Sequence, residues 1–286
     1  MSWYPDWFKQ AARWSVAPGT SPADAMQSSP IPMVIGSSCS RPRVGTRWRR
    51  IYEGEIGPAP VDRQALDRTH TRMESVSDDK EDVPPGENFH DEAAAAAWAD
   101  AAARKRPWRP TIFEHFVTAV TESRVPAPRI LELGSGPGFL AQYVLDRCPS
   151  VVRYTLLDFA QPMIRMSQGR LERHHARTAF VQADFKSESW PMLLGGPFDQ
   201  VFSLQAVHEL RHKRHAPRLY AQVRGLVSPG GEFVVCDHLP EGAPKPSHRC
   251  LSMSLAENLA ALAGAGFADA RLVWSEHKMA LYRARA

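Results

Sequence analysis

The sequence predicts an α/β protein with a doubly wound, mainly parallel seven-stranded sheet and helices on both faces. Apolar runs of strand-like length alternate with helix-like segments between residues 129 and 264. Strands that alternate with helices in this way form parallel sheets with helices packed on each side. A glycine-rich turn at residues 134–138 joins the first run to a helix. Two final runs, 270–274 and 279–283, predict a terminal hairpin with an antiparallel strand.

The chain of 286 residues divides into two parts. Residues 1–88 contain several Pro- and Gly-rich runs and no sustained helical or strand period, which predicts a poorly ordered N-terminal extension. Its four tryptophans, Trp3, Trp7, Trp14 and Trp48, are unusual for such a segment, and a second interpretation is that translation begins at Met73. We expect the folded domain at 89–286, with cap helices within 89–125.

Two helices are predicted before the first strand. Asp91 is a suitable N-cap for a helix over residues 93–103, because its carboxylate can accept from free backbone N–H groups. Pro110 suits the first turn of a second helix. That helix carries its apolar residues at helical spacing, namely Ile112, Phe116 and Val120.

The glycine turn is the strongest signal for a ligand. Residues 130–138 read Ile-Leu-Glu-Leu-Gly-Ser-Gly-Pro-Gly and are followed by a helix-like segment. Glycine permits positive φ and lets a ligand approach bare backbone. The helix behind it presents free N–H groups and a positive dipole end. The pattern therefore predicts a binding loop for a nucleotide-like ligand, the alternative being a turn without a ligand.

Three better-known loops do not match this stretch. Gly136 is followed by Pro137, Gly138 and Phe139, so the last glycine of the dinucleotide fingerprint is missing. No Gly-Lys-Ser/Thr follows, as a P-loop would require. Leu133 stands where the nucleophile elbow Gly-x-Ser-x-Gly needs its first glycine.

The remaining elements alternate in order. The predicted strands are 152–157, 178–183, 198–204 and 232–237, and the predicted helices are 162–171, one that starts at Pro217, and one with Leu255, Leu259 and Leu262. The turn before the fifth strand is Pro229-Gly230-Gly231.

Acidic and polar residues follow several of these strands. Asp158 ends the second strand, where an acid holds ribose hydroxyls in doubly wound folds. Asp184 ends the third strand and could accept from the exocyclic amine of a base. Ser203 and Leu204 end the fourth strand beside the switch point. A single acid in such a place is usually a helix cap, but several in frame with the glycine loop favour a ligand site.

These motifs together resemble the class I methyltransferases that depend on S-adenosylmethionine (SAM). The segments concerned are Leu-Glu-Leu-Gly-Ser-Gly-Pro-Gly, Leu-Leu-Asp-Phe-Ala-Gln-Pro-Met, Gln-Ala-Asp-Phe, Phe-Asp-Gln-Val-Phe-Ser and Leu-Val-Ser-Pro-Gly-Gly-Glu-Phe. The resemblance spans about residues 129–237 and implies the strand order 3-2-1-4-5-7-6, with the last strand antiparallel. It also implies that the helices before the first strand can close over the ligand.

The resemblance implies a cofactor site, residue by residue. Glu132 and the loop residues Gly134, Ser135, Gly136 and Gly138 would face the methionine part of SAM. Asp158 would bind the ribose, Met163 would pack near the adenine, and Asp184, with Phe185 beside it, would bind the adenine amino group. Ser203 and Leu204 would lie by the sulfonium.

Residues 208–212 read His-Glu-Leu-Arg-His and match the zinc pattern H-E-x-x-H. In that pattern two histidines bind one metal and the Glu acts as a base. A zinc hydrolase that uses His208, Glu209 and His212 is therefore an alternative, although Arg211 and the nearby Pro217 disfavour it, and we predict no metal. In a methyltransferase, His208 is the candidate general base, and His238 is the second candidate.

Charge and composition restrict the other classes. Residues 1–72 hold ten Lys/Arg and six Asp/Glu, which leaves 25 of each in the rest of the chain. Since the folded part has no basic excess, nucleic acid is not an expected partner. No apolar run is long enough to span a membrane, no signal peptide is recognisable, and the four cysteines form no close pair. We expect a cytoplasmic SAM-dependent methyltransferase with a small-molecule acceptor, or a SAM-binding module without turnover.

Overall fold

The computed structural model describes residues 81–240 and 249–286, which fall within the compact unit Arg72–Ala286. Most of the predicted extension, including its tryptophans and Met73, lies outside the described residues. Its last part is described and contacts the domain. The backbone N–H of Val83 donates to the carbonyl of Arg211 at 2.9 Å, and the Arg211 side chain donates back to the carbonyls of Val83 and Pro84. The boundary at residue 88 stays a prediction.

Two helices precede the sheet, as the sequence predicts. Helix α1 spans Glu92–Lys105, and the Asp91 carboxylate accepts from the N–H of Ala94 at 2.8 Å as its N-cap. Helix α2 spans Arg109–Glu122 with a proline in its first turn. Its apolar side is buried and includes the predicted Ile112, Phe116 and Val120.

The described residues form a seven-stranded sheet with the order β3-β2-β1-β4-β5-β7-β6. The strands are β1 Arg129–Leu133, β2 Arg153–Asp158, β3 Thr178–Gln182, β4 Phe198–Leu204, β5 Val227–His238, β6 Ala268–Glu276 and β7 Met279–Arg285. Pairings are parallel from β3 through β5, whereas β7 runs antiparallel to both of its neighbours. The predicted fold class and strand order are confirmed.

Helices cover both faces of this sheet. The remaining helices are α3 Phe139–Arg147, α4 Gln161–Arg170, α5 Ala216–Leu226 and α6 Leu255–Gly264. Alternate residues of β1 enter two different cores, because successive side chains of a strand point to opposite faces. Ile130 joins the core with α2 and α3, and Leu131 joins the core with α5 and α6. Within 81–240 and 249–286, no helix is long and apolar enough to cross a bilayer.

Several strand bounds differ from the predicted ones, and two of the differences concern predicted features. Strand β5 begins at Val227, so the glycine-rich turn that we predicted at 229–231 lies inside the strand. It forms an irregularity where the register between β4 and β5 shifts. Strand β3 ends at Gln182, which leaves Asp184 two residues beyond the strand. The edge strand β6 also has two register shifts against β7.

Candidate active site

A cavity opens at the carboxyl ends of β1, β2 and β4. It encloses about 620 Å³ when its open mouth is included, which is in the range of ligand pockets. Six predicted site residues line it, namely Gly134, Gly136, Asp158, Met163, Phe185 and His208. The other lining residues are Phe89, Trp98, Arg106, Phe159, Gln205, Ala206 and Glu209. The cavity lies where ligands bind in doubly wound folds.

Two glycines of the loop are required by their protein neighbours, and the third leaves open space beside its backbone. All three glycines have positive φ, at +63° for Gly134, +53° for Gly136 and +79° for Gly138. A Cβ at Gly134 would lie 2.4 Å from the Cβ of Ala206, and one at Gly138 would lie 2.9 Å from the Cβ of Ser167. A Cβ at Gly136 would meet no atom within 4 Å. Gly136 therefore keeps bare backbone at the cavity wall, which suits a ligand that approaches the main chain.

Asp158 connects the second strand to this loop. Its carboxylate is buried and accepts from the N–H of Gly136 at 2.8 Å and from the N–H of Ala160 at 2.9 Å. Burial raises the pKa of Asp158 to about 6, although both N–H groups act in the opposite direction. Since each carboxylate oxygen can accept more than one hydrogen bond, the ribose hydroxyls predicted for this residue can still be bound.

Glu132 lies in β1, directly before the loop, and is buried. The hydroxyl of Tyr154 donates to its Oε2 at 2.8 Å. Burial raises the pKa of the Glu132 carboxyl to about 8, so this group carries a proton at neutral pH. Glu132 does not line the cavity. Its predicted contact with the methionine part of SAM stays a prediction.

The other predicted cofactor residues differ in their surroundings. Met163 and Phe185 are buried in the cavity wall. Ser135 and Ser203 are buried, and their hydroxyl oxygens have no hydrogen-bond partner within the described chain. Asp184 is exposed, accepts from the N–H of Lys186 at 2.8 Å and does not line the cavity. Its predicted contact with the adenine stays a prediction.

A hydrogen-bonded pair lies at the carboxyl ends of β4 and β5. Nδ1 of His208 lies 2.7 Å from Oδ1 of Asp237, and the backbone N–H of His208 donates to Oδ2 at 3.0 Å. Nε2 of His208 lies 3.3 Å from Oε1 of Glu209. Burial alone would lower the pKa of His208, but Asp237 and Glu209 outweigh burial and raise it to about 10. Burial would raise the pKa of Asp237, but the charge of His208 lowers it to about 2.

Comparisons with known proteins agree with this geometry. A family model described as a methyltransferase domain matches residues 130–231. The chain is 30% identical over 197 residues to the malonyl-(acyl-carrier protein) O-methyltransferase of Geobacter sulfurreducens, which corresponds to 63% of this chain and 68% of that protein. The chain belongs to the class I SAM-dependent methyltransferases. The cofactor of this family is S-adenosylmethionine.

Further relatives show how far the likeness extends. This methyltransferase is 27% identical over 193 residues to the release factor glutamine methyltransferase of Chlorobaculum tepidum, over 61% of its own length. It spans 63% of the length of that relative, which is less than two thirds. A solved structure of an O-methyltransferase family protein from Burkholderia thailandensis has the same fold, with a TM-score of 0.54 and 20% identity over 69% of this chain and 61% of that one.

The H-E-x-x-H segment of the methyltransferase does not have the geometry of a zinc site. The motif requires both histidines on one continuous α-helix. Here Val207–Leu210 and Lys213–His215 form separate 3₁₀ turns, and Arg211 between them has φ +68°. Nδ1 of His212 accepts from the N–H of Arg214 at 3.0 Å, and His212 does not line the cavity.

A different trio has close ligand-type atoms. His208, Asp237 and His238 each offer one atom within 4.8 Å of the others, a spacing that a metal ion also accepts. Hydrogen bonds satisfy these side chains without an ion. His208 is bonded to Asp237, and Nε2 of His238 lies 3.1 Å from Nε2 of Gln205. These side chains therefore form a hydrogen-bonded network in the methyltransferase.

Sequence analysis missed Asp237 as the partner of His208. The signal was present, because Asp237 lies at the end of β5, and β5 is adjacent to the strand that leads to His208. It also missed Gln205, which follows β4 with φ +54° and lines the cavity. A non-glycine residue with positive φ is strained, and such residues are frequent at functional sites.

Proposed function

We propose that this methyltransferase moves the methyl group of SAM to a hydroxyl oxygen of a small-molecule acceptor, with His208 as the general base. The observation that carries the proposal is the hydrogen bond of 2.7 Å between His208 and Asp237 at the cavity wall. A hydroxyl has to lose its proton when it accepts a methyl group, so this reaction needs a base beside the cofactor. The name of the Geobacter relative, an O-methyltransferase, is consistent with an oxygen acceptor.

The cofactor would occupy the part of the cavity formed by β1, β2 and α4. Asp158 would bind the ribose, and the backbone at Gly136 would face the methionine part. The other predicted contacts are those of Glu132, Gly134, Ser135, Gly138, Met163, Asp184, Phe185, Ser203 and Leu204. SAM, when bound, supplies a methyl group on a positively charged sulfur. The protein mainly has to align donor and acceptor in line, and positioning alone lowers such barriers strongly.

His208 would take the acceptor proton on Nε2. Its Nδ1 faces Asp237, which fixes the orientation of the ring and the tautomer with a proton on Nδ1. Asp237 also accepts from the backbone N–H groups of His208 and His238, so its position is held by three contacts. Asp237 therefore acts as a positioning residue and His208 as the catalytic one.

A small acceptor with a planar or apolar part suits the cavity. Phe89 and Trp98 from the N-terminal segment line it together with Phe159. The Phe89 ring lies 5.4 Å from that of Trp98 and 6.2 Å from that of Phe159, in edge-to-face geometry. Aromatic walls of this kind bury apolar surface and exclude water.

The test of this function is the substitution His208→Ala, assayed with labelled SAM and a panel of phenols, enols and carboxylic acids. We expect the turnover number to fall roughly 10²- to 10⁴-fold, the usual contribution of a positioned base. Affinity for S-adenosylhomocysteine (SAH) should stay within about twofold, because His208 contacts the acceptor side. His212→Ala is the matched control and should leave turnover unchanged.

Three outcomes would contradict the proposal. Zinc bound at one ion per chain and lost in both variants would favour the hydrolase. Undiminished turnover in His208→Ala would remove the base. SAH binding without turnover on any acceptor of the panel would favour a binding module.

A further inference from the structure

Arg106 lines the cavity, and Arg109 lies behind the cavity wall, where it is bonded to the lining residue Gln205. Arg106 follows α1 and Arg109 begins α2, and the backbone N–H of Arg109 donates to the carbonyl of Arg106 at 3.1 Å. The Arg106 guanidinium lines the cavity and lies 5.5 Å from the centre of the Trp98 ring. The Arg109 guanidinium lies 5.8 Å from the centre of the Phe139 ring, just after the glycine loop.

Neither arginine has an acidic partner within the described chain. The side chain of Arg109 donates from Nη2 to Oε1 of Gln205 at 3.2 Å. Its Nε and Nη1 are closed off from water and have no hydrogen-bond partner among the described residues. Other buried arginines are paired: Arg283 holds Glu232 with two hydrogen bonds of 2.8 and 2.9 Å. An unpaired guanidinium in such surroundings is costly and is usually matched by an anion.

The carboxyl group of Glu132 does not supply that anion. Its charge would favour the charged form of Arg109, and it is the acid that acts on Arg109 most directly. However, the Glu132 carboxyl accepts from the hydroxyl of Tyr154, and no ion pair joins it to Arg109 among the described residues. Burial and, to a smaller extent, the charge of Arg106 lower the pKa of Arg109 to about 10. The charges of Arg106 and Arg109 also lower the pKa of His238.

We propose that Arg106 and Arg109 together bind a carboxylate of a ligand in this cavity. A guanidinium presents its N–H donors in a fork that matches both oxygens of a carboxylate. Two sources offer this group: a methyl acceptor that carries a carboxylate, and the methionine part of SAM. The first source rests on the proposed function, because it names the class of acceptor, namely a hydroxyl-bearing carboxylic acid with an apolar or planar body. Arg106 and Trp98 both line the cavity, and they suit the carboxylate and the apolar body of such an acid.

The test uses Arg106→Met and Arg109→Met, which remove the charge and keep most of the side-chain length. Arg104→Met is the matched control, because Arg104 is exposed on the last turn of α1. Four ligands are titrated by calorimetry into the full chain. SAH is compared with 5′-methylthioadenosine, which lacks the amino-acid part. Salicylate is compared with salicylamide on protein saturated with SAH. Circular dichroism and melting temperature report whether each variant is folded.

The two sources give different results. If the acceptor supplies the carboxylate, both variants lose salicylate affinity roughly 10- to 100-fold, as expected for hydrogen bonds to a charged group. The binding of SAH and salicylamide then stays unchanged. If SAM supplies it, SAH affinity falls by a similar factor while that of 5′-methylthioadenosine does not. The control Arg104→Met leaves the affinities for all four ligands unchanged.

Unchanged affinity for both carboxylate ligands in folded Arg106→Met would overturn the proposal, whatever happens to the more buried Arg109→Met. Equal losses for the charged and neutral ligands would also overturn it, since they would indicate a damaged cavity. These binding measurements do not depend on turnover. The base assignment is tested separately by the turnover of His208→Ala, so a failure of that assignment is distinguishable from a failure of the carboxylate site.

Discussion

The hydrogen bond between His208 and Asp237 makes methyl transfer depend on pH in a defined direction. The pKa of His208 is raised to about 10, so at neutral pH only a small fraction of the rings is neutral and able to accept a proton. We expect the turnover number to rise with pH up to this value. Asp237→Asn removes the main charge that raises the pKa, so the rise should move toward the ordinary value of about 6.5. The measurement is turnover against pH at saturating SAM.

The maximum rate of Asp237→Asn should also be lower than that of the parent, because the ring loses its fixed tautomer. A pH profile that is identical in the two proteins would show that His208 does not titrate in turnover. Asp91→Asn is a suitable control, since it replaces an exposed acid at the start of α1.

The sequence predicted individual site residues only where a short local pattern marks them. Asp158 was predictable as a residue at the cavity because it ends a buried strand at a fixed distance from the glycine loop. Arg106 and Arg109 were not predictable. Their position near the cavity depends on how α1 and α2 pack against the sheet, and no local period of the sequence encodes that packing.

The glycine loop gives a prediction for one element. Gly136→Val should abolish detectable SAH binding, because the added side chain would enter the space that the ligand needs beside the main chain. The fold should survive, since a Cβ at Gly136 meets no protein atom. SAH titration by calorimetry measures the effect.

Gly230→Val is the matched control for this substitution. Gly230 has φ +76° and open space around its Cβ, but it lies in β5 away from the cavity. Both variants carry the strain of a side chain at positive φ, roughly 1–3 kcal/mol. Loss of SAH binding in both would assign the effect to strain and would remove Gly136 from the cofactor site.

A buried ion pair joins strands β5 and β7, and its removal should lower the stability of the protein strongly. Glu232 and Arg283 are both only 8% exposed and are bonded through two nitrogens and two oxygens. Arg283→Met should lower the free energy of unfolding by about 3 kcal/mol, because it removes both hydrogen bonds from a buried carboxylate. Arg153→Met removes an exposed arginine of β2 and should cost less than about 0.5 kcal/mol. Urea unfolding distinguishes the two, and equal small losses would contradict the expectation.

Two elements show where sequence patterns mislead. The run Pro229-Gly230-Gly231 resembles a turn, but it is a strand irregularity that lets β5 pass close to β4. A Cβ at Gly231 would lie 2.6 Å from the carbonyl oxygen of Asp199, so glycine is required there by a neighbour distant in sequence. The H-E-x-x-H segment failed for a different reason: spacing alone does not ensure a helix.

The whole fold was predictable because it follows from a repeated local pattern. Alternation of apolar strands with helices leads to a parallel sheet, and the glycine loop fixes which strand is central. Resemblance to a family supplied the strand order, which the structure confirms. The resemblance implied only that the helices before the first strand can close over the ligand. The cavity wall formed by Phe89, Trp98 and Arg106 was not predicted, because it depends on contacts between residues distant in sequence.

The irregular register of β6 has a consequence for the molecule in solution. This strand is at one edge of the sheet, and its exposed residues include Leu272 and Val273. An edge of this kind can pair with the same edge of another copy and start aggregation. The register shifts at Ala268/Arg271 and Leu272/Trp274 interrupt the regular row of free N–H and C=O groups. Bulges twist an edge strand and make it a poor template for a further strand. We therefore expect β6 to resist edge-to-edge pairing with another copy.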